Sequence, residues 1–267
     1  MSAFAVVINP RAPGEAEGVV LRMLDAIPQR CVDGRRTLTG SQFAMGYGLR
    51  ATARRQLGEV QPGHAPSLGL SAVGTLRIDN REELARELGA GSEPPGSDLE
   101  IVLRGYERWG TGLADRLEGD FAFVVWDEHR RNAYAAIDPF AVKPLYYHVG
   151  PPGALLASDV AAILASGWVD LAVDDTAVLA YLDRTLDFDG ATFFRSVRRL
   201  RAGHFLAINE SGIEARRYAV PPASELRLAH PDDYYDEFRR LAKRAVAARL
   251  DTDRPILAHV SGGLDSS

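Results

Sequence analysis

The chain has 267 residues, enough for one large domain or two smaller ones, and its content of 46% hydrophobic and 25% charged residues is typical of globular proteins. The net charge of −5 gives no electrostatic reason to expect nucleic acid or an anionic membrane as a partner. No apolar run approaches the ~20 residues of a membrane-spanning helix, no signal-peptide pattern is present, and the single cysteine, Cys31, excludes an internal disulfide, so we expect a cytoplasmic protein.

Apolar residues recur at two spacings along the chain, so both strands and helices are expected. Strands are predicted over residues 3–8, 68–78, 121–126, 133–137, 145–149, 203–208, 213–218 and 255–260, and helices over 19–27, 82–88, 99–106, 158–164, 174–182 and from 231 onward. Ser97 and Glu100 form a capping-box pattern that starts the third of these helices. Residues 31–67 contain scattered glycine and proline and predict only hairpins and loops.

Residues 119–149 carry the strongest strand signal of the chain. A continuous apolar run at 121–126, a charged turn and a second apolar run at 133–137 predict a hairpin, and a third strand follows at 145–149. An apolar run without polar alternation needs cover on both faces, so we expect this sheet to lie between other layers.

A proline-containing segment without periodicity, residues 220–229, predicts a linker between a first domain at 1–219 and a second at 230–267. The second domain begins with a long helix, because Pro231 suits the first helical position and two aspartates follow in the first turn. Its predicted apolar face holds Tyr234, Phe238, Leu241, Ala245 and Val246.

The C-terminal residues combine an apolar run with a glycine-rich loop. Residues 255–260 predict a buried strand, and the loop 261–267 follows it directly. A glycine pair after a strand allows a sharp turn whose N–H groups favour an anion, and the serine hydroxyls of the loop add further donors. The lysine of the G-x-x-x-x-G-K-[ST] phosphate loop is absent, and the structural alternative is an ordinary turn.

The loop sequence Ser-Gly-Gly-Leu-Asp-Ser-Ser resembles the pyrophosphate-binding loop of the ATP pyrophosphatase superfamily, in the form found in glutamine-hydrolysing asparagine synthetases. Other segments resemble the glutaminase domain of the same family: 119–127 is similar to its G-x-F-A-F-x-x-x-D strand, 138–147 to R-D-x-x-G-x-[KR]-P-L-Y-Y, 96–98 to G-S-D, 78–81 to I-Y-N and 198–203 to R-L-x-P-G. The resemblance covers most of residues 70–267 and is poor over 1–69.

This resemblance implies an α+β fold: a four-layer αββα sandwich like that of N-terminal-nucleophile hydrolases, followed by the start of an α/β ATP pyrophosphatase domain. It also implies ATP and Mg²⁺ as cofactors. The pyrophosphate of ATP would be bound by Val260, Ser261, Gly262, Gly263, Leu264, Asp265, Ser266 and Ser267. Asp265 is the candidate Mg²⁺ ligand, and its structural alternative is to cap the helix that would follow.

The chain departs from the resembled family at the nucleophile of the glutamine site. Ser2 stands where the family has a cysteine that is exposed by removal of Met1, and a hydroxyl is a much weaker nucleophile than a thiolate. Asn80 and Asp98 match the glutamine-binding positions, with a turn cap and a place in the first turn of a helix as their structural alternatives. Cys31 has no histidine nearby in sequence and is not expected to replace the nucleophile. Further departures are at Leu76, Arg77 and Ile137.

We therefore expect an ATP-dependent amide-forming ligase that resembles asparagine synthetase and lacks glutamine hydrolysis. It would join aspartate, or another small-molecule or peptide carboxylate, to ammonia or an amine donor with release of AMP and pyrophosphate. The alternatives are an intramolecular amide ligase like β-lactam synthetases or lasso-peptide cyclases, and a non-catalytic scaffold or binding module. The resemblance is compatible with a homodimer. The chain is expected to be a fragment that is inactive alone, because the rest of the ATP site would follow Ser267.

Overall fold

The structure is a computed structural model that describes residues 1–8, 13–52, 56, 58–89, 96–185, 190–209, 211–220, 225–250, 252 and 255–264. The strands, β1 to β12, are Ala3–Ile8, Gly34–Thr39, Phe43–Leu49, Gly63–Ala65, Leu70–Ile78, Gly119–Asp127, Asn132–Ile137, Tyr146–Gly150, Gly153–Ala157, Arg198–Arg199, His204–Asn209 and Gly212–Arg217. The α-helices, α1 to α6, are Ala16–Asp25, Arg81–Glu87, Asp98–Trp109, Val160–Leu164, Asp175–Leu182 and Pro231–Arg249.

The chain divides into two compact units. The first combines Met1–Arg50 with Val60–Val220, and the second combines Ala51–Glu59 with Pro221–Ser267. All the strands and helices α1 to α5 belong to the first unit, whereas α6 belongs to the second. The domain limits that the sequence predicts at residues 219 and 230 stay predictions.

Two antiparallel six-stranded sheets form the first unit. One sheet has the strand order β10-β8-β9-β1-β3-β2, and the other has the order β12-β11-β7-β6-β5-β4. In the first sheet, β1 pairs with β3 and β9, so that Val6 lies opposite both Met45 and Leu156. In the second sheet, β6 pairs with β5 along its full length and with β7 over residues 122–127.

Successive side chains of β1 and β6 point to opposite faces of their sheets, and both faces of each sheet are covered, which gives four layers. One buried cluster lies between the two sheets and includes Phe4, Val6 and Ile8 of β1 and Ala122, Val124 and Trp126 of β6. The opposite face of β6 packs against helices α2 and α3 in a second cluster that includes Phe121, Phe123, Leu84 and Leu99. The opposite face of β1 packs against α1 and α4 in a third cluster that includes Ala5, Val7, Val20 and Ile163. The predicted αββα sandwich is confirmed.

The third strand of the 119–149 region lies in a different sheet from the first two. The strand predicted over residues 145–149 forms, as β8, and it pairs with β9 in the first sheet instead of with the hairpin of β6 and β7 in the second. The physical reason lies in Asp138, a buried carboxylate directly after β7. It accepts hydrogen bonds from the N–H groups of Phe140, Val142 and Lys143, and these bonds turn the chain away from β7.

Helix α3 starts at the predicted cap. The Ser97 hydroxyl accepts a hydrogen bond from the Glu100 N–H at 3.1 Å, which satisfies one of the free donors of the first turn. The Glu100 carboxylate accepts its return bond from the Gly96 N–H at 2.8 Å, one residue before the position used in a capping box. No helix in the described part of the chain is long and apolar enough to cross a membrane.

The second unit contains helix α6 and an irregular segment after it. Helix α6 begins at Pro231 as predicted, and the larger side chains of its predicted apolar face are exposed. The predicted strand at 255–260 is wrong: residues 255–264 form neither strand nor helix, and all of them are exposed. A strand needs partners for its backbone N–H and C=O groups, and no described strand pairs with this segment.

Candidate functional site

Ser2 lies directly before β1, and the residue is only 6% exposed. Its hydroxyl oxygen accepts a hydrogen bond from the Arg50 N–H at 3.0 Å, and the hydroxyl donates one to the Arg50 carbonyl at 3.3 Å. Arg50 follows β3, the neighbour of β1, in which Gly48 lies opposite Ala3. The serine side chain therefore extends the β1–β3 pairing by one step, and its single proton is used within the fold.

Cationic side chains surround the N-terminal amine. Burial lowers the pKa of the Met1 amine, and the charges of Arg50, Arg30 and Lys143 lower it further. The Lys143 ammonium group also lies 3.1 Å from the Met1 sulfur. Arg30 forms an ion pair with Asp159 at 3.1 Å. The surroundings of the N-terminus therefore favour an uncharged amine.

A buried carboxylate holds the loop that carries Lys143. The Asp138 side chain accepts hydrogen bonds of 3.0 to 3.3 Å from the N–H groups of Phe121, Phe140, Val142 and Lys143. Within this loop Ala141 has a φ of +52°, a conformation that disfavours residues with a Cβ. Three bonds thus fix the loop to one side chain, which the bond from Phe121 connects to β6, and this fixes the place of Lys143 beside the N-terminus.

Asp98 occupies the first position of α3 and is buried. One carboxylate oxygen forms an ion pair with the Arg81 guanidinium of α2, and the other accepts a hydrogen bond from the Ile78 N–H at 3.2 Å. Because a buried charge is stable only when it is paired, these bonds account for Asp98 in the folded protein. The carboxylate joins β5, α2 and α3, and both of its oxygens are engaged.

Asn80 also has a structural position, at the end of β5. It is the residue before α2, but its side chain does not cap that helix. Instead, the side-chain N–H group donates to the Arg116 carbonyl at 2.8 Å, and the side-chain oxygen accepts from the Glu118 N–H at 3.0 Å. The amide therefore ties the exit of β5 to the segment that enters β6.

The predicted glutamine-site residues belong to different elements of the fold. Ser2 precedes β1 of the first sheet, Asn80 follows β5 of the second sheet, and Asp98 begins helix α3, from which its carboxylate accepts the Ile78 N–H. The hydrogen bonds described above connect each of them to backbone or to arginine, and none within the described residues joins Ser2 to Asn80 or to Asp98.

The predicted ATP loop is described in part. Val260 to Leu264 are exposed, and Asp265, Ser266 and Ser267 lie outside the described residues. Gly262 has a φ of +76°, in the region that favours glycine, and an added Cβ there would meet no neighbouring atom. The backbone conformation, not crowding, thus favours glycine at this turn.

Cys31 is a structural thiol. It is buried against Gly48, where an added Cβ would lie only 2.2 Å from the Cys31 sulfur. Its sulfur lies 3.6 Å from the Ile27 carbonyl oxygen, and burial raises the pKa of the thiol. In the part of the chain that the structure describes, no group of three His, Cys, Asp or Glu side chains could hold a metal ion.

Comparison with protein families assigns the first unit. Residues 1–219 match the family model of the glutamine amidotransferase domain. The chain belongs to the glutamine amidotransferase domain family. Residues 237–267 match a second model, that of asparagine synthase. The resemblance drawn from the sequence motifs is confirmed at the level of the family.

Individual relatives of this glutamine amidotransferase domain are longer proteins. The amidase chry2 of Gibberella zeae is 31% identical over 97% of this chain and 40% of its own length. Asparagine synthetase [glutamine-hydrolyzing] 3 of Bacillus subtilis is 34% identical over 70% of this chain and 31% of its own length. The chain thus spans well under half of these two relatives.

The solved structures support the fold. The glutamine phosphoribosylpyrophosphate amidotransferase from B. subtilis matches with a TM-score of 0.57, over 83% of this chain and 50% of that one. The sequence identity is 17%, so the likeness concerns the fold alone.

Two arginines of the site were not predicted from the sequence. Arg50 holds Ser2 from a distance of 48 residues along the chain, and no local pattern marks such a contact. Arg81 is the last residue of the segment 78–81 that resembles the family motif, but its pairing with Asp98 depends on how α2 and α3 pack.

Proposed function

We propose that the first unit keeps the amidotransferase fold without hydrolysing glutamine. We further propose that the full-length protein is an ATP-dependent amide-forming ligase that takes its nitrogen from ammonia or an amine. The first part rests on one observation: the Ser2 hydroxyl is buried and hydrogen-bonded to both the N–H and the carbonyl of Arg50.

A serine nucleophile needs a base for its proton and an open approach to the substrate carbonyl. The Ser2 hydroxyl donates instead to a backbone carbonyl, which cannot act as a base, and the residue is 6% exposed. For attack on a substrate, both hydrogen bonds to Arg50 would have to break first. These features support a structural role for the hydroxyl.

The surroundings of Asp98 support the same proposal. In the resembled family this carboxylate binds the α-amino group of glutamine. Here the Arg81 guanidinium already neutralises it, and the Ile78 N–H occupies its second oxygen. An incoming ammonium group would have to displace an ion pair that is sheltered from water, and breaking such a pair is costly.

The ligase part rests on the asparagine synthase match at 237–267 and on the loop 261–267. ATP would supply the adenylyl group that turns a poor acyl donor, a carboxylate, into a good one. Residues Val260 to Ser267 would hold the pyrophosphate through backbone N–H groups and hydroxyls, and Asp265 would hold Mg²⁺. Aspartate is the default substrate that the resemblance implies, and an amine within the substrate itself is the alternative.

A second candidate function is that of an N-terminal serine amidase. The position of Ser2 directly after Met1 favours it, because removal of Met1 would expose a terminal α-amine, the base that activates an N-terminal hydroxyl. The match to an enzyme called an amidase is compatible with it. This function requires removal of Met1, which would make the amine of Ser2 the terminal one, and release of the Ser2 side chain from Arg50.

Binding of MgATP to the full-length protein separates a ligase from a non-catalytic scaffold. We expect Ser261→Ala and Asp265→Ala each to weaken binding about tenfold or more in isothermal titration calorimetry, because each removes a hydrogen-bonding or charged group from the anion site. Ser211→Ala, in the β11–β12 turn, is the matched control and should leave binding unchanged. Unaltered affinity in both loop variants would mean that this loop is not the ATP site.

A further inference from the structure

A cleft of about 350 Å³ opens at one edge of the sandwich. It is lined by β8, by the segment that leads into β10, and by β12. Strands β8 and β10 lie at one edge of the first sheet, and β12 is the edge strand of the second. The cleft is therefore an open end of the space between the two sheets.

The floor of the cleft is apolar. Ile213 and Ala215 of β12 lie opposite Ile208 and Leu206 of β11, whose side chains belong to the core between the sheets. Cross-strand partners share one face of a sheet, so Ile213 and Ala215 also face the inter-sheet side. No described strand lies on the outer side of β12, and all of its residues are exposed. An edge strand of this kind is a template for a further strand.

The rim of the cleft is cationic, in a chain whose net charge is −5. It carries Arg195 and Arg198. The Arg195 side chain is 62% exposed, and its ion pair with Asp175 is long, at 3.5 Å. Burial raises the pKa of Tyr147 in the cleft wall, and the charge of Arg198 offsets part of that rise. The positive charge of the rim therefore reaches into the cleft.

We infer that this edge binds an extended acidic segment of a partner protein, which adds to β12 as a further strand. The backbone of the segment would pair with the outer edge of β12, the mode known as β-augmentation. Alternate side chains of the added strand would point toward the cleft. An apolar side chain would cover Ile213 and Ala215, and acidic side chains on the same face would meet Arg195 and Arg198.

A second copy of this chain fits the edge less well. Pairing of two β12 strands would bring the two cationic rims, each with Arg195 and Arg198, toward one another. Like charges that meet across an interface oppose association, whereas an acidic segment is complementary to the rim.

The test measures binding of dye-labelled peptides to the full chain by fluorescence anisotropy at low ionic strength. The probe is the acetylated hexapeptide Thr-Leu-Thr-Glu-Thr-Glu, whose leucine and glutamates share one face when it is extended, and the control peptide has lysine in place of glutamate. We expect only the glutamate peptide to bind, and Arg198→Ala to weaken its binding about tenfold. Arg104→Ala, which removes an exposed arginine from α3, should leave binding unchanged.

A second pair of peptides tests whether the ligand is bound as a strand. In a strand ladder only alternate N–H groups face the neighbouring strand, so N-methylation of one alternate set should abolish binding and methylation of the other should spare it. The inference is overturned by equal binding of the glutamate and lysine peptides, by unchanged binding in Arg198→Ala, or by equal effects of the two methylated sets. A dimer of the chain that forms at the same edge and excludes the peptide would also overturn it.

Discussion

Two apolar segments of six residues, 3–8 and 255–260, predict strands from their sequences, but only the first forms one. The first segment pairs with β3 on one side and β9 on the other, and all of its side chains are fully buried. The second has no strand beside it among the described residues, and its Leu257 is 95% exposed. An apolar run thus shows where a strand can form, and the available neighbours decide whether it does.

The difference has a simple energetic basis. Burial of a Val, Ile or Phe side chain stabilises the folded chain by about 1.5 to 3 kcal/mol, whereas fixing the backbone of one residue costs about 1 to 2 kcal/mol. In β1, each of Phe4, Val6 and Ile8 supplies that burial from the core between the sheets. In the second segment no comparable burial offsets the ordering of the backbone.

The largest effect expected from this comparison concerns matched truncations in the two segments. Phe4→Ala should lower the free energy of unfolding of the first unit by about 3 to 5 kcal/mol, because it leaves a cavity between the sheets. Leu257→Ala should change it by less than about 0.5 kcal/mol, since the side chain is exposed. Urea unfolding followed by tryptophan fluorescence, to which the buried Trp126 of the same cluster contributes, measures both. Equal costs for the two variants would break the comparison.

A smaller effect on stability is expected at Ala141, because the first unit holds this residue in an unfavourable backbone conformation. Ala141 has a φ of +52° in the loop fixed by Asp138, whereas the φ of +76° in the second unit is taken by a glycine, Gly262. Ala141→Gly should therefore stabilise the first unit by about 1 kcal/mol. Ala180→Gly, within helix α5, should destabilise it by about the same amount. The same urea titration reports both signs, and destabilisation by Ala141→Gly would contradict the account.

Much of the fold could be predicted because the deciding interactions are local. The Ser97 cap and the start of α6 at Pro231 follow from residues adjacent in sequence, and the apolar runs of β1 and β6 mark where strands can form. The assignment of β8 to a sheet could not be predicted, since it depends on how Asp138 turns the chain. The strand Gly153–Ala157 was not predicted; it forms a hairpin with β8 and pairs on its other side with β1, which is distant in sequence.

The sequence alone could identify residues of the candidate site but not the hydrogen bonds and ion pairs that they form. The sequence located Ser2, Asn80 and Asp98, and a first-turn place for Asp98 was one of the alternatives. What each side chain does is decided by Arg50, Arg81 and backbone groups that only the folded chain brings near. The same physical reason underlies the wrong strand at 255–260, whose formation depends on neighbours and not on its own composition.

The central claim is that the Ser2 hydroxyl is a structural group and not a nucleophile. The most direct test is the release of glutamate from glutamine by the full chain, with mass spectrometry to determine whether Met1 has been removed and with Ser2→Ala as the comparison. The account predicts no glutamate above the level of Ser2→Ala, even in molecules that lack Met1, because the hydroxyl stays bonded to the backbone of Arg50. Glutamate release that requires removal of Met1 and disappears in Ser2→Ala would contradict it and establish an N-terminal serine nucleophile.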